Sequence, residues 1–559
     1  MGGRTTRAGA PPGLGRVIVM TGLLGWAAMA GPHGAAPRFY ADDPLAREPE
    51  TQDASAVEAW DIDLFVDLTT NLFGHPGDPV TNQRARNVNT ADEVPDSSWF
   101  TNRIGARTLS AEAVARGPVA GAGPAPGPWT VIRPKSSGFA PGFTMRDSAG
   151  ETWFVSFDPP GMPDAATSAI MVATKLFWAL GYFQVDTHLG RIAPDQIRIA
   201  DTAMMRLPTG RRRPMQRRDI DDVLRRSHRS ADGTYRAALG RMLPGRVVGG
   251  FRYHGTRPDD PNDVVPHEHR RELRALKVFG AWTNLVDMKA GNTLDTVITE
   301  NGRGVVRHYL QDVGSTFGTG AQGPREYDEG WEYLYEGKPL LARLFTLGLA
   351  MPRWTTIDYT ANRSIGRFEG EAFDPTVWRP RVPTAAFRHA RADDDFWAAR
   401  RVAAFSDALI AAAVASGEYA DPAAAALLTR VLIERRDKIA QAFLPAVNPV
   451  VDVAMADDGV VSFANAAVEA GVAAPPAGYR VRWHRFDNAT DTASPLGEAV
   501  QATDTRAAPP AALPATGGSF VRVDIAATGG PPAWAAPVEA YFRRANDRWQ
   551  LVGFNRLPE

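Results

Sequence analysis

The chain of 559 residues contains no cysteine. That absence excludes disulfides, thiolate metal sites, a thiol nucleophile and an anchor built on a lipidated cysteine. An excess of either charge is also missing: 62 Lys and Arg stand against 63 Asp and Glu, a formal net charge of −1. No global field favours nucleic acid or an anionic membrane, and no nucleic-acid partner is expected. The one basic run, Arg211-Arg212-Arg213 with Arg217-Arg218, reads as a solvated loop. Beyond the N-terminus no apolar run approaches the ~20 residues of a membrane span. There is no solenoid repeat, no P-loop, no dinucleotide fingerprint and no G-x-S-x-G elbow.

What is present is ordinary for a folded protein. The chain is 44% hydrophobic and 22% charged, which argues against broad disorder. Its length exceeds one hydrophobic core and predicts two or three domains. Arg4, Arg7 and Arg16 precede an apolar stretch over residues 17–30, and Ala28-Met29-Ala30 supplies small residues at a cleavage site. This is the pattern of a secretory signal. Residues 1–36 are therefore predicted to be a signal peptide. No adjacent arginine pair precedes the stretch, which favours the general export route. The expected location is periplasmic or extracellular, with no stable membrane span after cleavage.

Residues 37–127 are rich in Pro, Gly, Asp and Asn and predict an extended segment and linker, with residues 120–128 the most linker-like. Within them, Asp92-Glu93-Val94-Pro95-Asp96-Ser97-Ser98-Trp99-Phe100 is expected to lie over a domain surface. Three short strands joined by tight turns begin at Trp129, Phe143 and Thr152. Residues 165–180 carry one apolar helical face closed by Gly181. A second long helix is expected from about residue 266 to 285, and more helix over 393–445. From about residue 450 the period becomes two: Tyr479, Val481 and Trp483 alternate with Arg480, Arg482 and His484. That predicts a β-sandwich over 448–559.

The most informative stretch is Asp287-Met288-Lys289-Ala290-Gly291-Asn292, followed by a strand signal at Val305–Leu310 and then Gln311-Asp312-Val313-Gly314. Its form is D-x-K-x-x-N, a hairpin, then D-x-G. Phosphoryl transfer needs such a set. One carboxylate orients or deprotonates the acceptor hydroxyl, and hard oxygen ligands hold a divalent ion against the phosphates. The segment resembles the catalytic and metal-binding loops of the protein-kinase-like superfamily, including its HipA-like and spore-coat CotH-like branches. The chain also looks like a group of uncharacterised exported bacterial proteins. The resemblance covers about residues 128–445.

The resemblance implies an α/β (α+β) fold: a two-lobed kinase-like core, N-lobe 128–195 and C-lobe 196–447, with the C-terminal β-sandwich behind it. It implies Asp287 as catalytic carboxylate and Lys289 as its phosphate-facing neighbour. Asn292 and Asp312 would bind Mg2+ or Mn2+. Gly138 and Gly142 would lie above the phosphates of ATP. Two departures stand out. Ser156 occupies the third-strand position where a kinase carries lysine, and Ile170 lies on the helix that should offer glutamate. Lys135 is the candidate substitute from another direction. The expected function is Mg-nucleotide-dependent phosphotransfer to an unknown acceptor. The alternatives are an inactive pseudokinase scaffold binding a cell-envelope protein, and AMP transfer on the same fold. His267-Glu268-His269 reads as a helix N-terminus, since side chains two apart on a helix diverge.

Overall fold

The computed structural model describes residues 36–135, 140–207, 209–336, 343–346 and 351–557. Residues 1–35, most of the stretch expected to be a signal peptide, and Gly138 lie outside the described residues. The architecture is mixed α+β.

Strands β1 (Trp129–Pro134), β2 (Gly142–Arg146) and β3 (Thr152–Phe157) form an antiparallel meander. The helix Ala165–Leu180 follows, closed by Gly181 at φ 126°. Then come β4 (Thr187–Ile192), β5 (Ile197–Ile199), the ribbon β6 (Met204–Arg206) with β7 (Arg212–Pro214), and β8 (Tyr235–Arg241). The sheet order is β4-β8-β3-β2-β1-β5, antiparallel except for the parallel pair β1 and β5. Period-two side chains of this sheet, among them Val131, Phe143, Trp153, Val155 and Leu239, bury one apolar face. The basic run is not a free loop: Arg212 and Arg213 sit on β7, and Arg213 forks onto Asp219 at 2.6 and 2.7 Å.

The expected long helix before Asp287 is broken into three pieces. His267–His269 is a 3-10 turn, Arg270 is extended at φ −89° and ψ 122°, and Arg271–Arg274 and Leu276–Thr283 are short helices. The cause is polar: Arg270, Arg271 and Arg274 are all turned inside. Buried charge survives only when paired. Arg271 meets Asp394 at 2.9 Å, Asp393 at 3.2 Å and Asp92 at 3.0 Å.

Strand β9 (Arg246–Gly249) pairs with β10 (Thr293–Glu300), which forms a hairpin with β11 (Arg303–Leu310). Asn301 and Gly302 turn it with φ 50° and 77°, which suits a tight hairpin. The helices Ala392–Ala403, Asp407–Ala415 and Pro422–Phe443 pack their apolar stripes into the main core. Among the described residues no helix is long and apolar enough to cross a membrane.

The C-terminal part holds β12 (Val450–Met455), β13 (Val461–Asn465), β14 (Gly478–Asp487), β15 (Thr492–Pro495), β16 (Val500–Ala502), β17 (Arg506–Ala507), β18 (Phe520–Thr528), β19 (Val538–Ala545) and β20 (Arg548–Asn555). One sheet runs β12-β13-β17; the other runs β15-β14-β18-β19-β20, with β16 also on β14. The alternation on β14 holds to Trp483 and then breaks, because Phe486 is buried on the other face. Phe39, from the far end of the chain, covers it together with Tyr541.

The segment before residue 128 is woven into the core. Trp99 is 3% and Phe100 0% exposed, where the sequence predicts a surface segment. Trp99 stacks on His308 at 3.5 Å and carries the Arg270 guanidinium at 4.7 Å on its ring. The helix Leu64–Phe73 is turned inside out. Asp67 and Asn71 are buried, while Leu64, Phe65, Val66 and Phe73 are exposed.

Candidate active site

The helix Leu276–Thr283 ends at Asn284, which is left-handed (φ 55°, ψ 42°), and Asn284 Oδ1 accepts a 2.8 Å bond from Trp378 Nε1. Asparagine tolerates that conformation. The chain then runs on with alternating sides. Val286, Met288 and Ala290 point inside, and Asp287 and Lys289 are half-buried. The Arg381 N–H donates to Val286 O at 2.8 Å and holds the stretch from the side. Ala290–Asn292 forms a 3-10 turn that leads into β10.

Asn292 joins three parts. Its Nδ2 donates to Asp287 O at 2.7 Å. Its backbone carbonyl accepts the Asp312 N–H at 3.1 Å. The hairpin register explains the second bond: Thr293 pairs with Leu310, so the residues just outside the pair are neighbours. The sequence separation of 20 residues between Asn292 and Asp312 is closed by one hairpin. Asp287, Asn292 and Asp312 therefore share one place in the fold.

The side chains there are partly committed. Lys289 Nζ lies 2.8 Å from Asp287 Oδ2. Asp312 is exposed, and its Oδ1 accepts the Gly314 N–H at 3.0 Å. Gly314 is a glycine because a Cβ there would stand 2.8 Å from Ile170 Cγ1 and 3.3 Å from Asp312 Oδ1. Ile170, from the helix Ala165–Leu180, thus packs on the Asp312-Val313-Gly314 turn. Lys135, at the end of β1, is half-buried; desolvation depresses its ammonium, and the Asp312 carboxylate opposes that shift. Lys135 and Asp312 are electrostatic neighbours.

Gly142 is the first residue of β2, paired with Ser156. A side chain there would strike Val155 O, so close strand approach accounts for this glycine. Ser156 is half-buried between β2 and β8.

Sequence reasoning did not find Tyr253 and Glu329, two neighbours of Asp287, nor Asp67, a neighbour of Tyr253. Tyr253 is buried, and burial first, then Asp67 and Asp287, push its hydroxyl far up. Glu329 is raised by burial, with Arg325 and Arg381 opposing and Asp287 adding to the rise. Asp67 belongs to the inside-out helix, and burial raises its carboxyl against the pull of Arg252. The only sequence signal for Asp67 was its place among apolar residues, which suits a surface helix equally well.

The donor set fits a hard divalent ion. With Asn292 Nδ2 donating to the backbone, Asn292 Oδ1 remains available, as does the second oxygen of Asp312. Oxygen ligands of this kind suit Mg2+ or Mn2+. Among the described residues, Asp78, Glu268 and His269 also have metal spacing. There His269 Nδ1 faces Arg274 Nη2 at 2.9 Å, and Arg274 can only donate. His269 Nε2 therefore carries the proton and donates to Asp78 at 2.8 Å, which leaves no lone pair for a metal. His267 diverges to Asp263 at 2.8 Å, as the spacing predicts.

No family model and no curated protein matches the chain. Among solved structures it is weakly similar to the Golgi casein kinase. The form with Mn/ADP bound shares 10% identity and a TM-score of 0.28, covering 59% of this chain and 75% of that one. A second Golgi casein kinase structure gives 9% identity and a TM-score of 0.28, covering 71% of this chain and 94% of that one. At such scores the likeness is loose, and the functional reading rests on the residues themselves.

Proposed function

We propose that the chain is a kinase-like phosphotransferase that uses ATP and Mg2+ or Mn2+ on an acceptor bearing a hydroxyl. The observation that carries this reading is the Asn292 junction, with its bonds of 2.7 Å to Asp287 and 3.1 Å to Asp312. Asn292 and Asp312 would hold the ion, which neutralises charge on the transferred group. Asp287 orients the acceptor hydroxyl and takes its proton. Lys289 steadies that carboxylate and presents positive charge to the phosphoryl group. Lys135 supplies a second cation from above, in place of the lysine that Ser156 displaces. The signal-like N-terminus supports a periplasmic or extracellular site of action.

Ser156 and Ile170 favour a second reading, a catalytically inactive scaffold that binds an envelope protein. One experiment separates the readings. The protein is incubated with Mg2+ or Mn2+ and ATP labelled on either the γ- or the α-phosphate. Transfer of γ-label supports phosphotransfer, and transfer of α-label means AMP transfer. No transfer and no nucleotide-induced melting shift leaves the scaffold. Asp312→Ala is expected to abolish the melting shift by Mg-ATP; an equal shift in mutant and wild type counts against the site.

A further inference from the structure

The helix Leu64–Phe73 sits in a rotation that hydrophobic burial alone would not choose. Phe65 is 73% and Phe73 60% exposed, while Asp67 is 5% and Asn71 2% exposed. Burial rewards large apolar side chains and penalises a carboxylate, so polar contacts must hold this rotation. Those contacts point at the loop of the candidate site. The helix packs on Ala290–Asn292. A methyl of Leu64 lies 3.1 Å from where Gly291 would carry a Cβ. Asp67 Oδ1 is shut from water without a hydrogen-bond partner, and the Ala290 N–H is turned toward the same carboxylate. Asn71 Nδ2 donates to Asp67 O at 2.8 Å, and Arg388 Nη2 donates to Asn71 O at 2.6 Å, so the helix is pinned at its polar side.

We infer that Asp67 is a positioning residue: its carboxylate, supplied by the segment before the kinase-like core, steadies the Ala290–Asn292 turn and so fixes Asn292 and Asp287 for transfer. The inference rests on the phosphotransfer reading for its purpose, though not for its geometry. Two peptide links separate Ala290 from Asn292, so slack at Ala290 reaches the bonds that Asn292 makes to Asp287 and Asp312.

The test uses full-length Asp67→Ala and Asp67→Asn proteins. Hydrogen exchange over residues 286–293 is expected to rise about two- to tenfold in Asp67→Ala, because the Ala290–Asn292 turn loses the carboxylate that faces it, with the rest of the chain unchanged. In the γ-phosphate assay kcat should fall about ten- to a hundredfold while KM for ATP stays within about twofold. A merely structural residue would not give that split. If Asp67→Ala fails to fold, Asp67→Asn carries the test. An amide holds an N–H less strongly than a carboxylate, so a smaller rise in the same peptide is expected. Unchanged exchange over 286–293 in the folded variant overturns the inference. A wild type that transfers nothing overturns the phosphotransfer reading alone, and the exchange comparison then decides the role of Asp67.

Discussion

Lys289 Nζ lies 2.8 Å from Asp287 Oδ2, two residues back along one strand of loop. The Lys289 side chain is 41% exposed, so the ion pair adds at most about 1 kcal/mol to stability. On the phosphotransfer reading, its charge would act chiefly on the incoming phosphate. Lys289→Met is expected to leave the urea midpoint nearly unchanged and to lower phosphotransfer about a hundred- to a thousandfold. A large loss of stability with retained transfer would reverse the assignment.

Lys135, just past β1, and Asp312, just past β11, are electrostatic neighbours. Lys135→Ala is expected to weaken Mg-ATP binding about ten- to a hundredfold, the loss of one charged contact to phosphate. Titration of the nucleotide-induced melting shift measures it. An unaltered affinity would make Lys135 a bystander.

Asp263 sets an acid limit on the fold. Burial alone would raise its carboxyl, but His267 and then Arg270 hold it down to about 2. A depressed carboxylate adds stability that is full above the unfolded value of 3.8 and lost as pH falls through about 2. The contribution is about 2 kcal/mol. Asp263→Asn should lower the urea midpoint at neutral pH and flatten its decline between about pH 4 and pH 2. A mutant curve parallel to the wild type would contradict this.

Arg271 is fully buried among Asp92, Asp393 and Asp394. Removing one member strands the others without counter-charge. Arg271→Met is expected to destabilise the protein by about 3–5 kcal/mol in urea denaturation. A change below about 1 kcal/mol would show that Arg84 and Arg556 suffice for Asp92.

Local rules were legible where side chains follow one period. The helix Ala165–Leu180 has the bounds its apolar face and Gly181 predict, and β3 has the bounds its turns predict. The hairpin between Asn292 and Asp312 was equally plain. What the sequence hid depends on partners far along the chain. Residues 266–285 read as one helix because nothing local announces that Arg270 and Arg271 turn inward to Glu48 and Asp394. Trp99 read as surface because its ligands, His308 and Arg270, lie some two hundred residues on. Asp67 stayed hidden because an acidic residue in a short amphipathic helix ordinarily faces water.

The last strand closes what the first residues open. Phe39 rests on Gly553, the Phe554 N–H donates to Thr90 O at 2.7 Å, and Arg556 lies over Phe396 at 4.2 Å. β20 lies far along the chain from Phe39 and Thr90, so the early segment stays unlatched until β20 has been made. A product cut short before Arg548 leaves Phe39 and Thr90 with nothing to grip. The packing of the early segment is thereby tied to β20 being in place.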